Sequence, residues 1–523
     1  MADEILSKKS VEAGFALPLR GAALAIILAL ALGLRLWGAT FGLPFLYHPD
    51  EGAVVMPALN IVQTGNYRPL RLDYGSAYIY SLSAWYSLYF VYGAWRGYFE
   101  TVADLPVYPD YWLVGLYPFP VIFLVGRLWT ALLGSATALA VYALGRRLGG
   151  TRAGLAAAFL LAVLPLHVGH SHFATTDAPM TFVVTVASLR ILDLFEQGRW
   201  RDYGWAGFWV GLAASTKFPG GVALGGLALA HLVRARNWNE LFNPRLGLAL
   251  AAAVGGFLLG TPYALDLPYF LNWLAVNLSF YGHPPAGVIA QSALRFYLQH
   301  FVFDASAPVV ALGLGGIVWL TLADRPRGLI LSAFPILHLM LITAQGARFP
   351  RMLVPLTPFL AVGAGVCLER LASGLANRAP AFRFRVASLI GLTALAVMAP
   401  LVQTIQADML LATPDVRTEA YEWFVANVSP EAKIAADPMG PPLQPWPQLY
   451  LSWNLAEHDP DWYRAEGYNY FVLSEAILLD SNLAPEQAEA YQALRGGFTL
   501  LETFRGPMLG TAGLRIWVYQ VTP

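Results

Sequence analysis

The sequence is dominated by apolar runs that are long enough to cross a lipid bilayer. The first covers residues 21–37, and similar runs recur to about residue 403. A transmembrane helix needs about 20 mostly apolar residues, and helices satisfy their own backbone hydrogen bonds inside lipid. Of the 523 residues, 57% are hydrophobic and only 13% are charged, which is low for a soluble globular protein. The chain is therefore predicted to be a polytopic α-helical membrane protein.

Arginine clusters set the expected orientation of the spans, because short loops rich in Lys and Arg stay on the cytoplasmic side. The clusters lie at residues 146–152, 199–201, 234–245, 325–327 and 370–385. Placing all five inside predicts eleven spans, with the N-terminus in the cytoplasm and the C-terminal tail outside. The spans cover residues 21–41, 120–144, 153–170, 178–195, 203–216, 219–233, 246–263, 307–322, 328–344, 353–370 and 386–403.

Residues 74–95 do not fit this count easily, since they are apolar and aromatic yet follow a loop that must begin and end outside. They are either re-entrant or interfacial, or they span together with a further helix inside residues 111–144. The second alternative gives thirteen spans. The sequence alone leaves both open.

The chain divides into a membrane domain, residues 1–403, and a soluble tail, residues 404–523. The membrane domain has a large first outer loop at about residues 42–119, which is the expected catalytic loop. The tail is predicted to be a small extracytoplasmic α/β domain from its periodicity. The pattern indicates a helix over residues 416–426 and strands over residues 433–436, 470–473, 499–504 and 515–521.

Charge and cysteine content exclude several functions. Lys plus Arg equals Asp plus Glu at 33 each, so there is no whole-protein charge signal for nucleic acid, and no nucleic-acid partner is predicted. The tail is acidic on balance and the membrane domain basic. Cys367 is the single cysteine, which rules out an intrachain disulfide and a cysteine zinc cluster.

Acidic residues at the outer ends of the spans are the candidates for catalysis. Asp50 and Glu51 follow His48 directly after the first span, and Asp177 lies five residues after His172 before the fourth span. Adjacent carboxylates on a helix point about 100° apart, so Asp50 and Glu51 are expected to have different partners, one as a base and the other orienting the loop. Helix capping or the helix dipole is the structural alternative for all three acids.

Three cations lie at unexpected positions. One is in an apolar segment, where a charge is costly, and two are on the outer side, where the orientation rule does not place basic residues. Lys217, one of only four lysines, is near the far tip of an apolar helical hairpin, which usually marks an anion or counter-ion. Arg348 and Arg351 begin the tenth span on the outer side. Arginine can bind phosphate through two parallel hydrogen bonds. Snorkelling of Lys217 and salt bridges from the arginines to the acidic tail are the alternatives.

Histidines and tyrosines near these groups suggest weaker sites. His167, His170 and His172 partly share a helix face, and with the nearby carboxylates they could bind a divalent cation. Hydrogen bonding at the membrane boundary is the simpler explanation. Tyr74 is either an interfacial aromatic residue or a platform on which a sugar ring stacks.

Carboxylates and cations at one face of a polytopic protein suit the displacement of a lipid phosphate. A carboxylate can take the proton of an attacking hydroxyl, and cations can stabilise the negative charge on the departing phosphate. A lipid tail on the donor would explain why the catalyst is embedded in a membrane.

Five motifs together resemble bacterial family 39 glycosyltransferases, relatives of protein O-mannosyltransferases and of the aminoarabinose transferase of lipid A. The motifs cover residues 48–51, 72–76, 171–177, 215–217 and 348–351. The resemblance implies a GT-C fold and transfer of a sugar, usually with inversion, from a polyprenyl-phosphate-linked donor to a hydroxyl acceptor. The acceptor is a protein, glycan or lipid outside the cytoplasmic (plasma) membrane.

The resemblance also implies roles for single residues. Asp50 matches the first-loop acidic residue, and Asp177 matches the second acidic motif near the sugar. Positions that contact the carrier phosphate are matched by Lys217, Arg348 and Arg351. The expected further substrate contacts are His48, Tyr74 and His172. No cofactor is assigned, and the resemblance leaves a divalent metal open.

Three other functions compete with this hypothesis. A transporter or lipid-linked sugar flippase would place ionisable residues near the bilayer midplane and would show repeated halves. A non-catalytic subunit would tolerate replacement of Asp50, Asp177 and Lys217. An enzyme that moves a whole oligosaccharide differs from the leading hypothesis in the length of its donor.

Overall fold

The computed structural model describes residues 20–69, 75–107, 115–116, 119–282, 292–376, 382–479, 483, 485–506 and 515–522. The described part is mostly helical, with a two-stranded sheet in the first large loop and a five-stranded sheet near the C-terminus. The first seventeen helices are α1 (residues 20–36), α2 (Pro49–Thr64), α3 (Ala77–Trp95), α4 (Val121–Gly149), α5 (Thr151–Ala162), α6 (Pro165–Gly169), α7 (Asp177–Gln197), α8 (Trp200–Thr216), α9 (Ala223–Arg234), α10 (Trp238–Leu241), α11 (Pro244–Gly260), α12 (Leu267–Gly282), α13 (Ala293–Asp304), α14 (Ala307–Ala323), α15 (Arg325–Ala344), α16 (Thr357–Ala376) and α17 (Phe382–Leu411).

Six helical segments of the described residues are long and apolar enough to cross a membrane, or seven if the bent pair α13 and α14 is one span. The protein is therefore a multi-pass membrane protein. Prolines, glycines and short turns interrupt other predicted spans, so that α5, for example, ends at Ala162 and the chain continues as the five-residue helix α6. The count of eleven to thirteen spans stays a prediction. Helix α3 does not pass the same test of length and hydropathy.

The membrane part is held together by small residues that let helices approach closely. Helices α8 and α11 cross at Gly207 and Gly211, where an added Cβ would overlap the carbonyl oxygens of Ala249 and Ala253. In lipid the hydrophobic effect does not favour contact between helices, so close van der Waals packing drives their association. Small residues at the crossing allow this close packing. A large apolar core joins this pair to α4, α5, α7 and α16.

The first large loop forms a layer of its own over one end of these helices. Helices α2 and α3 pack together, and Leu59, Ile79 and Leu82 are completely buried between them and α4. Two short strands, β1 (Phe45–Leu46) and β2 (Gly115–Leu116), pair antiparallel and connect the beginning and end of the loop. This layer places the start of α2 against the beginning of α7.

The C-terminal region is an α/β domain, as the sequence predicts. Helix α18 (Val416–Asn427) matches the expected helix, and the expected strands are β3 (Ile434–Ala436), β5 (Tyr470–Ser474), β6 (Thr499–Arg505) and β7 (Arg515–Gln520). The short strand β4 (Leu449–Leu451) was not predicted.

The sheet order is β4-β3-β5-β7-β6, with parallel pairing on the β4 side and antiparallel pairing on the β6 side. Helix α18 covers one face, while α19 (Pro460–Ala465), α20 (Glu475–Leu478) and α21 (Pro485–Gly497) belong to the other side. The division at residues 403 and 404 stays a prediction, and α17 runs through it to Leu411.

Candidate active site

The first acidic residue of the loop meets an arginine from a distant part of the chain. Asp50 lies in the first turn of α2, and its carboxylate accepts a hydrogen bond from Nη1 of Arg351. Arg351 lies on the 3-10 helix Pro350–Leu356, which is fixed because His338 bonds the carbonyl oxygen of Met352 at 2.8 Å. About a fifth of each side chain in the pair remains exposed.

The second acidic residue of the loop is fully enclosed. Glu51 accepts hydrogen bonds from Nε and Nη2 of Arg127 at 2.8 and 2.7 Å, and from the backbone N–H of Ala174 at 2.9 Å. Arg127 also donates to the carbonyl oxygens of Ala39 and Phe41. Glu51 and Arg127 are 0% and 1% exposed. This geometry ties the loop to α4 and to the motif before α7.

The predicted acid at the start of α7 pairs with the predicted lysine. Oδ1 of Asp177 accepts a hydrogen bond from Nζ of Lys217 at 2.6 Å, and both side chains are buried. Lys217 is the first residue after α8, where the chain turns into a short 3-10 helix. The end of α8 is fixed in turn, because the hydroxyls of Ser215 and Thr261 are hydrogen-bonded at 2.7 Å.

His170 and His48 lie with these two ion pairs. His170 interacts electrostatically with Asp177, Lys217 and Arg351, and with His48. Burial lowers the pKa of His170 to about 4 and lowers the pKa of His48 as well. Both imidazoles are therefore neutral near pH 7 and can exchange hydrogen bonds with uncharged groups.

The ring of His48 lies 4.5 Å from the ring of Phe173, centroid to centroid. Its Nδ1 is buried, with no hydrogen-bond partner among the described residues.

A cavity of about 800 Å³ opens beside this group of residues. It lies between the segment around α6, the end of α17 and the chain leading into α18. Most of its lining is apolar, and polar groups include His170, Gln403, Gln406 and Asp415. Among the residues of the two ion pairs and the two histidines, His170 is the one that lines this cavity directly. We call the two ion pairs Asp50–Arg351 and Asp177–Lys217, with His48 and His170, the paired-charge cluster.

Three other residues were expected at the site. His172 and Arg348 contact other parts of the fold, and Tyr74 is not among the described residues. Nε2 of His172 lies 3.0 and 2.8 Å from the carbonyl oxygens of Leu34 and Trp37, so this ring faces the end of α1. Arg348 is half-buried and interacts electrostatically with Tyr297 on α13. Tyr74 lies outside the described residues.

A metal site from the three histidines does not form in this arrangement. His167 bonds the guanidinium of Arg35 through Nδ1 at 2.8 Å, and His172 faces α1, while His170 faces the cavity. Within the described ranges, no three His, Cys, Asp or Glu side chains converge as metal ligands.

Two residues of the site were not among those proposed from the sequence as catalytic or substrate-binding. Arg127 is an arginine inside the apolar stretch 120–144, and an ionisable residue at such a position is a signal for a buried partner. His170 was considered only as a metal ligand. Its position three residues after the buried His167, at the end of a helical turn, gave no sign of which acids it would meet.

Comparisons with known proteins agree with this architecture. Residues 119–258 match the family model described as dolichyl-phosphate-mannose-protein mannosyltransferase. ArnT from Cupriavidus metallidurans, solved bound to undecaprenyl phosphate, is similar over 97% of this chain and 98% of that chain, with 16% identity and a TM-score of 0.53.

The oligosaccharyltransferase AglB from Archaeoglobus fulgidus, solved with an inhibitory peptide and a dolichol-phosphate, is also similar. The match covers 95% of this chain and 76% of that chain, with 15% identity and a TM-score of 0.54. A comparison with curated protein sequences found no significant match.

The fold and the partial family match define the class: this is a multi-pass membrane protein with the GT-C fold and a C-terminal α/β domain. The GT-C fold that the resemblance implies is thereby confirmed. Within that class, residues 119–258 are similar to the protein mannosyltransferases, and the whole chain is similar in fold to ArnT.

Proposed function

We propose that the protein transfers a sugar from a polyprenyl-phosphate-linked donor to a hydroxyl-bearing acceptor on the extracytoplasmic side of the plasma membrane. The observation that carries this proposal is the paired-charge cluster, in which two carboxylates and two cations from four separate segments meet at one end of the bundle. The similar ArnT and AglB structures were solved with undecaprenyl phosphate and dolichol-phosphate, which supports a donor of this chemical type.

In the proposed reaction, Asp50 acts as the base because it is partly exposed while Glu51 is enclosed. The carboxylate takes the proton of the acceptor hydroxyl, whose oxygen attacks the anomeric carbon of the sugar. The bond between that carbon and the phosphate oxygen breaks, and the lipid phosphate leaves with the bonding electrons. A direct displacement of this kind inverts the configuration at the anomeric carbon.

Lys217 and Arg351 are placed to stabilise the charge that develops on the departing phosphate. Each of these cations has a carboxylate partner in the structure. Donor phosphate would therefore share or replace a carboxylate as their counter-ion. Asp177 stays next to Lys217 and orients it. We assign the acceptor to the cavity beside His170, because the neutral imidazole can hydrogen-bond a hydroxyl there.

The test uses detergent-purified protein, a panel of radiolabelled polyprenyl-phosphate monosaccharides and membrane extract, with transfer or release of sugar as the readout. Loss of general-base catalysis predicts that Asp50→Asn lowers the rate by about 10²-fold or more. Lys217→Ala is expected to lower it as well, because the leaving phosphate loses a cation.

The matched control is Asp266→Asn, which changes another loop carboxylate, one that pairs with Arg68 and not with a residue of the cluster. It should retain activity. If the folded wild type releases sugar from no donor, with or without divalent metal, or if Asp50→Asn is fully active, the proposal is wrong.

Transfer of an oligosaccharide is the second candidate, favoured by the fold shared with AglB. Donors of increasing glycan length separate the two. A rate that falls steeply beyond one sugar supports the monosaccharide donor, whereas a rate that requires several sugars supports the oligosaccharide.

A further inference from the structure

A second cavity lies at the end of the bundle away from the paired-charge cluster. It has a volume of about 530 Å³ and runs between α1, α5 and α17. Helix α5 begins at this cavity and leads toward α6 and His170, so the cavity and the cluster lie at opposite ends of α5. Its lining includes Arg152, Leu155, Phe159, Leu389, Thr393 and Ala394.

This cavity, called the groove below, is apolar along almost its whole length and carries cations at one end. Arg152 is the second residue of α5 and lines the groove. Nearby, the carboxylate of Glu369 is shared by two guanidiniums, those of Arg385 and Arg152. Among the described side chains, these two cations share one carboxylate. Helices α5 and α17 also both begin here, and the N-terminus of a helix favours an anion.

One polar group inside the groove points to a ligand. Thr393 is 7% exposed, lines the groove and finds no hydrogen-bond partner for its hydroxyl in the part of the chain that the structure describes. Other threonines of the membrane helices, such as Thr137 and Thr185, bond the carbonyl oxygen four residues earlier. A buried hydroxyl that forgoes this bond is costly unless another group supplies one.

We propose that the groove binds an anionic phospholipid, with the head group at Arg152, an acyl chain along α1 and α17, and a lipid oxygen near Thr393. A phospholipid fits because the groove combines an apolar length with a cationic end. The occupant stabilises the contact of α1 and α17 with α5. This site does not depend on the proposed transfer reaction.

The test measures lipid binding to full-length protein that has been delipidated in detergent. Phosphatidylglycerol and phosphatidylcholine with the same chains are titrated, and bound lipid is counted by native mass spectrometry, with thermal shift as a second readout. We expect tighter binding of phosphatidylglycerol. Arg152→Gln should weaken that binding by about fivefold, since one cation near a membrane surface contributes a factor of that order.

A second variant keeps the proposal testable if Arg152→Gln folds poorly. Ala394→Phe fills the groove from an exposed position and should abolish tight binding, whereas Ala399→Phe, exposed on the same helix outside the groove, should leave it unchanged. Equal affinity for the two lipids, or binding that survives Ala394→Phe, would overturn the proposal. Displacement of the lipid by polyprenyl phosphate would assign the groove to the donor tail instead.

Discussion

Breaking the buried ion pair between Glu51 and Arg127 should destabilise the protein strongly. Glu51→Ala removes the acceptor of two charge-assisted hydrogen bonds from Arg127, at 2.8 and 2.7 Å, and leaves a guanidinium that is 1% exposed without its counter-ion. Each such bond contributes about 1.5–3 kcal/mol. Loss of one partner of a buried pair costs about 3–5 kcal/mol, which agrees with the sum over these bonds.

The carbonyl oxygens of Ala39 and Phe41 still accept bonds from Nη1 of Arg127, so we expect the lower half of that range. The assay is the free energy of unfolding in a mild detergent, followed by tryptophan fluorescence. Glu100→Ala, an exposed carboxylate of the same loop, is the matched control and should change stability by less than about 0.5 kcal/mol.

A double variant separates the pair from a general effect of the loop. Glu51→Ala combined with Arg127→Met removes the unpaired charge, so it should be more stable than the sum of the two single changes predicts. If the effects are simply additive, or if Glu51→Ala unfolds like the wild type, Glu51 does not fix the loop as argued here.

Three further changes test other parts of the structure. Gly211→Leu forces a side chain against the carbonyl of Ala253 and should cost about 1–3 kcal/mol or more, while Gly247→Leu meets open space and should not; thermal unfolding compares them. Burial raises the pKa of Asp437 in the folded protein, so the folded state binds this proton more tightly than the unfolded state does. The resulting stabilisation is complete below the pKa of the unfolded state and is lost as the pH rises through the raised pKa of the folded state. Asp437→Asn should flatten that dependence in unfolding measured from pH 4 to 8, and an unchanged slope would contradict it. His170→Gln should raise the acceptor KM about fivefold without changing donor binding, because one hydrogen bond to the acceptor is lost; an unchanged KM would refute the acceptor assignment.

Local patterns in the sequence predicted the C-terminal domain well. Strands such as β5 and β7 are buried apolar runs bounded by turns, and a short strand needs little more than this to be recognised. The strand β4 was missed because it has only three residues among prolines. The membrane helices were harder to delimit, since an apolar run is compatible with one span, with a broken helix such as α5 and α6, or with a helix that lies at the membrane surface.

The candidate site was predicted by residue type but not by pairing. Asp50 and Asp177 were singled out as acids at the outer ends of the spans. Lys217 was singled out as a costly cation in an apolar hairpin, and Arg351 as a cation on the side where the orientation rule does not place one. Which acid would meet which cation depends on contacts between segments up to 301 residues apart, and no local pattern encodes them. His172 shows the same limit, since its distance in sequence from Asp177 gives no sign that its ring faces α1.

The close crossing of α8 and α11 has a mechanical consequence for Lys217. Helix backbones in direct contact cannot slide past each other unless they first separate, so α8 and α11 behave as one rigid unit. Lys217 directly follows α8, so its backbone position is fixed by this rigid unit. Arg351 extends from a 3-10 helix that is held in another way, by its buried residues 352–356 and by the bond between His338 and the carbonyl oxygen of Met352. The spacing of the two cations is therefore set by two separate anchor points in the bundle.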